Sequence, residues 1–276
     1  MKTVLLLVAC AALTACASAP PAQTHAAAPA VAAADAGLPH DLQWFRNSAE
    51  YTASAQTIYN AATAQLALLP DRCAAKSEPP WVIVMDADET IFDNSDQQVD
   101  WFQRGKAFDA AEWNAWVGKG HEGLIPGVGA FVGAVAARCG HIVVVTNRSE
   151  RNPKFPVDEC KATEDRLHAL FAKVVPRNPI DAVMCAPVGP DGKPRNDKNP
   201  RFRAIARGEV AHLKNARIAM YIGDSITDLP NTEACPSQTA MDDLDPLLGR
   251  TYFVLPNPTY GGWTQCTTPR RGPAVP

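Results

Sequence analysis

The chain has 276 residues, 46% of them hydrophobic, and a formal net charge of −3. That length suits one large α/β domain with appendages or two small domains, and the apolar content permits a substantial core. The charge is near balance and there is no long basic run, so nothing favours a nucleic-acid polymer as partner.

The N-terminus reads as a processing segment. Met1-Lys2 is followed by an apolar stretch from Val4 to Leu13, too short to span a bilayer. Leu13-Thr14-Ala15-Cys16 then resembles the bacterial lipoprotein signal, in which Cys16 is lipidated and becomes the mature N-terminus. An ordinary signal peptide cleaved near Ala19 is the alternative. Residues 17–40 follow as a tether, rich in Ala and Pro, and 41–276 is the expected folded domain. Ala17 after the cysteine, by resemblance to lipoprotein sorting rules, points to an outer-membrane anchor in the cell envelope. Cys73, Cys139, Cys160, Cys185, Cys235 and Cys266 remain in the mature chain. An even number suits disulfides in an exported protein, with the pairing open and buried thiols as the alternative.

Helical spacing of Leu42, Phe45, Ala49, Tyr59, Ala62, Leu66 and Leu69 predicts one long helix over 41–69, stopped by Pro70. Trp81–Met85 reads as a buried strand. The aromatic-rich stretch to about 123 reads as a mostly helical insertion, and Val128–Arg138 as a helix opened by Pro126-Gly127. Ile142–Val145 is a second strand, 159–173 an amphipathic helix and Ala182–Cys185 a short strand. A polar loop over 189–201 leads to a helix over 202–213. Ile218–Ile222 and Tyr252–Leu255 are the last strands. The alternation implies an α/β fold, a parallel sheet with helices on both faces.

Two segments carry the chemistry. VIVMDADETIFDNS (82–95) and IAMYIGDSITD (218–228) each run from an apolar strand into carboxylates. Open α/β sheets bind ligands outside the carboxyl ends of their strands. Asp86 and Asp88 follow the first strand, and Asp224 and Asp228 the second. Four carboxylates gathered there would repel one another without a cation, and hard oxygen ligands suit Mg²⁺. Asp86 can act as a nucleophile on phosphorus, and Asp88 as the acid and base. Alone, Asp86 reads more simply as a helix N-cap, and Asp88 as a second cap or a solvated turn acid. Thr90 is expected to order the turn, and Gly223 to let the backbone turn tightly. Thr146, Asn147 and Arg148 end the second strand, where a hydroxyl and backbone N–H groups suit phosphate oxygens. Arg148 is left open between a phosphate and a neighbouring acid. Lys198 lies among the basic residues of 193–203, and spacing alone does not single it out. Trp113 and Trp116 share a helical face and offer rings for stacking, with core packing as the plainer reading. His121 and His141 read as structural or surface histidines.

These residues resemble the haloacid dehalogenase (HAD) superfamily, and within it the class C (DDDD) acid phosphatases of bacteria, many of them surface lipoproteins. MDADETIFDNS and YIGDSITD are similar to that class's two signature motifs. WFRNSAEY (44–51), WNAWV with IPG downstream (113–127), VVTNR (144–148), DKNPRF (197–202) and LPNPTYGGW (255–263) match in the same order. The resemblance implies a Rossmann-like core with a smaller, mostly helical, cap-like part built from 41–69 and 95–123. It implies Asp86 as nucleophile and Asp88 as general acid/base. Mg²⁺ would be held by Asp86, the Asp88 backbone carbonyl and Asp224, with Asp228 close by. Thr146, Asn147 and Lys198 would bind phosphate, and Trp113, Trp116 and Tyr260 would line the substrate pocket. The implied reaction is hydrolysis of phosphomonoesters at acidic pH, nucleoside monophosphates among them. The expected partners are thus a small phosphomonoester and a membrane through the lipid, with a homodimer left open. Ala87 stands where the class carries a larger aliphatic residue, and Asp96-Gln97-Gln98 replace the aromatic that usually follows DNS.

The rival reading is a non-catalytic surface lipoprotein that binds haem or a nucleotide-derived cofactor. Retention of all four acids argues against it. A phosphotransferase or mutase would need an acceptor site, and a dehalogenase leaves Asp88 without a task.

Overall fold

The computed structural model describes residues 37–74, 79–210 and 213–267. The signal segment, Cys16 and most of the tether lie outside the described residues. No described helix is long and apolar enough to cross a membrane.

Five parallel strands form the central sheet: β1 (Trp81–Met85), β4 (His141–Ser149), β5 (Ile180–Ala186), β6 (Arg217–Gly223) and β7 (Tyr252–Val254), in the order β5-β4-β1-β6-β7. Central β1 is buried along its whole length, as a continuous apolar run requires. Its alternate side chains feed two cores. Trp81, Ile83 and Met85 face one layer with Ile142 and Val144, whereas Val82 and Val84 join Val143, Val145, Phe202 and Ile205 on the other. The chain builds β4 and β5 on one side of β1, then returns to build β6 and β7 on the other. The order of connection therefore reverses beside β1, where such sheets bind ligands.

The first core lies under α2 (Ala49–Leu66), α5 (Val128–Ala137) and α6 (Glu159–Phe171). Small residues let α2 and α5 approach closely: Gly127 takes a left-handed φ of 93°, and a Cβ there would sit 3.2 Å from the Tyr59 ring. The second core lies under α7 (Asn199–Ala206).

The expected helix over 41–69 is two helices, α1 (His40–Asn47) and α2. Ser48 breaks them: it is extended, its hydroxyl donates to the Trp44 carbonyl (2.7 Å), and it accepts from the Tyr51 N–H (2.9 Å). One side chain thus serves both helix ends. The helix expected over 202–213 is α7, shifted earlier. Pro200 lies in its first turn, and Gly208, at φ 69°, stops it.

The insertion after β1 holds α3 (Ser95–Gln103) and α4 (Ala110–Lys119). Short β2 (Phe92–Asp93) pairs with β3 (Gly123–Leu124) and closes the base of this insertion against the core. Sequence reading missed that ribbon and α8 (Gln238–Leu244). The six described cysteines pair: Cys73–Cys139, Cys160–Cys185 and Cys235–Cys266.

Candidate active site

The site is built where β1 and β6 end side by side. The Asp86 N–H donates to the Ile222 carbonyl at 2.9 Å, so the ladder continues one residue past β1. That bond fixes Asp86 against the start of the loop carrying Asp224 and Asp228. Asp228 does not sit on a regular helix. It closes a three-residue 3₁₀ turn, Ile226–Asp228, capped by Ser225, and its Oδ2 accepts the Ser225 N–H (2.9 Å). Gly223 is not needed for a tight turn, as it lies within β6 with no left-handed φ. It is needed for space, because Asp228 packs directly on its Cα face.

Oxygens of Asp86, Asp224 and Asp228 lie within 4.8 Å of one another. Lys198, buried at the start of α7, donates to Asp86 Oδ1 (2.5 Å) and Asp228 Oδ1 (2.6 Å). Asp224 is held from the other side, where Asn257 Nδ2 donates to its Oδ2 at 2.8 Å. Asp86 and Asp228 share one ammonium, and the hydrogen-bond partners of Asp224 are neutral, so the cluster is short of positive charge. Burial, and then the repulsion of Asp228 and Asp88, push the Asp86 carboxyl up to about 7 against the pull of Lys198. Burial, then Asp228 and Asp86, also raise Asp224 well above the carboxylate range. Burial works against the Lys198 charge, but Asp228 and Asp86 outweigh it and hold the lysine protonated. The donor set is hard, anionic and deficient in cation, and it fits a divalent metal.

The Asp88 side chain stands outside this cluster. Arg148 grips it, with Nη2 donating to Oδ1 at 2.7 Å and Nε donating at 3.0 and 3.2 Å to its two oxygens. Asn94 Nδ2 donates to the same Oδ1 at 2.9 Å. Asn94 is brought back by Glu89, which is fully buried, adopts a left-handed φ of 51° and accepts the Asn94 N–H (3.2 Å). Thr90 lies between the two halves of the site, 3.5 Å from Asp224 Oδ1.

Thr146 is buried within β4, and its hydroxyl accepts the Arg148 N–H at 3.1 Å. The strand does not turn there but runs on to Ser149. Asn147 is exposed beside it. Arg201 ties both residues to α7, donating to the Thr146 carbonyl and to Asn147 Oδ1 (3.0 Å). Sequence reading placed Arg201 in a motif but gave it no role.

Of the aromatics, Trp116 is buried and donates to Asn94 Oδ1 (3.0 Å). Trp113 is half-buried, its ring 5.5 Å from the Arg148 guanidinium carbon and 6.4 Å from the Trp101 and Phe108 rings. Both rings are thus engaged within the protein. Tyr260 is exposed, on the turn that Asn257 anchors to Asp224. His121 is exposed with its ring edge-on to Trp116, and His141 pairs with Asp181 at the opposite end of β4. Glu122, buried beside Arg148, carried no signal in the sequence.

Comparison with known proteins agrees with this architecture. Two structures of the class C acid phosphatase from Bacillus anthracis, one with tungstate bound, share the fold with TM-scores of 0.63 and 0.62. Each is 22% identical over 81% of this chain and 84% of its own. A family model, HAD superfamily subfamily IIIB (acid phosphatase), matches residues 1–175. That stretch carries Asp86, Asp88 and Thr146–Arg148; the fold brings Lys198, Asp224 and Asp228 to it from beyond. The chain belongs to subfamily IIIB of the HAD superfamily, the acid phosphatases.

Proposed function

We propose that this acid phosphatase hydrolyses phosphomonoesters, nucleoside monophosphates among them, through a phosphorylated Asp86 and with Mg²⁺ as cofactor. The observation that carries the reading is the convergence of Asp86, Asp224 and Asp228 on one buried point with Lys198 between them.

Asp86 follows the central strand, so the sheet holds it rigidly for attack on phosphorus. A carboxylate oxygen of Asp86 bonds to phosphorus as the bond to the leaving oxygen breaks. Asp88 gives that oxygen its proton. Water then attacks the phosphorus of the aspartyl-phosphate, Asp88 takes its proton, and inorganic phosphate leaves with Asp86 restored. Asp86, Asp224, Asp228 and the Asp88 backbone carbonyl would hold Mg²⁺. When bound, the ion supplies positive charge against the phosphate oxygens. Lys198 adds a point charge on the same side, and Thr146 and Asn147 line the strand end beside it. Most of the rate gain would come from positioning and charge, as in other phosphoryl transfers. The Trp113, Trp116 and Tyr260 pocket remains the proposed substrate wall, with only Tyr260 well exposed.

We propose further that the protein is exported and anchored to the cell envelope by lipid on Cys16. Radiolabelled palmitate should enter the wild type and not Cys16→Ser.

The functional test is phosphate release from nucleoside monophosphates and an aryl phosphate by residues 17–276 with Cys16 replaced, from acid to neutral pH, with Mg²⁺ and with chelator. Metal-dependent release abolished by Asp86→Asn, in a variant that keeps its circular dichroism, is the expected result. Full activity in folded Asp86→Asn would sink the nucleophile assignment.

A further inference from the structure

Arg148 is a fully buried cation of the site that the proposed chemistry leaves without a task. Its side chain is fully buried, between the loop after β1 and the inserted helices. Two of its nitrogens, Nε and Nη2, point at Asp88. The third, Nη1, reaches Thr163 Oγ1 at 3.1 Å and Glu122 Oε1 at 3.0 Å. The guanidinium carbon lies 4.7 Å from the Phe92 ring centre. Glu122 is itself fully buried, and Arg166 of α6 approaches its Oε2 (3.5 Å) and donates to its carbonyl.

A buried charge is costly unless it is paired. Glu122 supplies Arg148 with a second carboxylate, so its compensation does not depend on Asp88 alone. Burial opposes the Arg148 charge, but Asp88 and then Glu122 more than offset it. A planar guanidinium with donors on two sides and an aromatic ring against it has little freedom to turn. Its orientation is therefore set by Glu122 and Thr163, and in turn sets the Asp88 carboxyl. Asn94 adds a second hold on that carboxyl, and Trp116 Nε1 (3.0 Å) and Arg148 Nη2 (3.4 Å) both donate to Asn94 Oδ1.

We infer that Arg148 and Glu122 form a positioning pair that fixes Asp88 for proton transfer to the leaving oxygen. The inference rests on the proposed role of Asp88. Neither residue touches the phosphoryl group in this assignment; they act through Asp88.

Leaving-group chemistry tests it. A nitrophenolate departs without a proton, whereas the alkoxide of a glycerol phosphate needs one. Arg148→Lys, which loses the fork, and Glu122→Gln should lower kcat/KM for glycerol phosphate by about 100-fold. For p-nitrophenyl phosphate they should lower it far less. Added guanidinium should restore glycerol phosphate turnover to Arg148→Ala. Should Arg148→Ala fail to fold, the near-isosteric Glu122→Gln carries the test. Equal losses for the two substrates, or none, would overturn the positioning role. Asp88→Asn is the control. If it shows the leaving-group-selective loss and the Arg148 and Glu122 variants do not, this inference alone fails. If it is fully active on both substrates, the role given to Asp88 fails first.

Discussion

Gly223 and Asp228 occupy the same space by a narrow margin: a Cβ on Gly223 would fall 2.2 Å from Asp228 Oδ2. The last residue of β6 is therefore glycine because the carboxylate five residues later folds back onto it. That contact seats Asp228, whose other oxygen faces Lys198.

Gly223→Ala should displace Asp228 while leaving the sheet intact, because Gly223 is not in a left-handed conformation. Turnover is expected to fall by about 100-fold or more, the scale of loss from a misplacement near 1 Å. Circular dichroism and kcat measured on the same preparation check it. Wild-type kcat in the alanine variant would remove Asp228 from the machinery.

Lys198→Met should destabilise the metal-free protein. It removes the single ammonium shared by Asp86 and Asp228 and leaves buried acids uncompensated. Breaking a buried pair from one side costs about 3–5 kcal/mol, which denaturant unfolding would read directly. Mg²⁺ should recover part of that stability in the variant, since the ion restores positive charge to the same acids. A loss that Mg²⁺ does not touch would argue against the carboxylates as its ligands.

Proton and metal should compete. Asp86 in the folded protein titrates at about 7 against an ordinary 3.8. Between those values the folded state holds a proton that the unfolded state has released, so metal-free stability falls as pH rises from about 4 to 7. The raised Asp224 adds in the same direction. Metal binding requires both acids ionised. The gain in Tm on adding Mg²⁺ should therefore grow from pH 5 to pH 8, and the Mg²⁺ needed for half-maximal effect should fall. A Tm gain independent of pH would contradict binding at these residues.

Much of this site was legible because strand-to-acid transitions are local. An apolar run of five residues ending in Asp86, and another ending at Gly223, fix the sheet edge without knowledge of the rest of the chain. Lys198 was legible only through family resemblance, since its significance is its distance from Asp86, 112 residues away. Arg148 was visible as a residue but not as a clamp, because Glu122 and Thr163 reach it from separate elements. The break at Ser48 was missed because the apolar spacing of 41–69 runs through it. A single hydroxyl serving both helix ends outweighed the periodicity. The β2–β3 ribbon is two residues on each side, below the length at which alternation carries a signal.

The disulfides should differ in what they do. Cys235–Cys266 ties the loop after the Asp224 turn to the segment bearing Asn257 and Tyr260. Cys73–Cys139 ties the turn that follows α2 to the turn that follows α5, at the amino end of the sheet and away from the acids. Closing loops of this length stabilises a fold by about 4 kcal/mol in the chain-entropy picture, so removing either bond should lower Tm. Only loss of Cys235–Cys266 should also free Asn257 from Asp224. Cys235→Ala/Cys266→Ala is thus expected to weaken Mg²⁺ affinity and lower kcat/KM well below the optimum temperature, where both double variants are fully folded. Cys73→Ala/Cys139→Ala should leave both near wild type under the same conditions. Isothermal titration with Mg²⁺, with turnover measured alongside, separates the two. If the pairs behave alike, the C-terminal segment does not hold the site through Asn257.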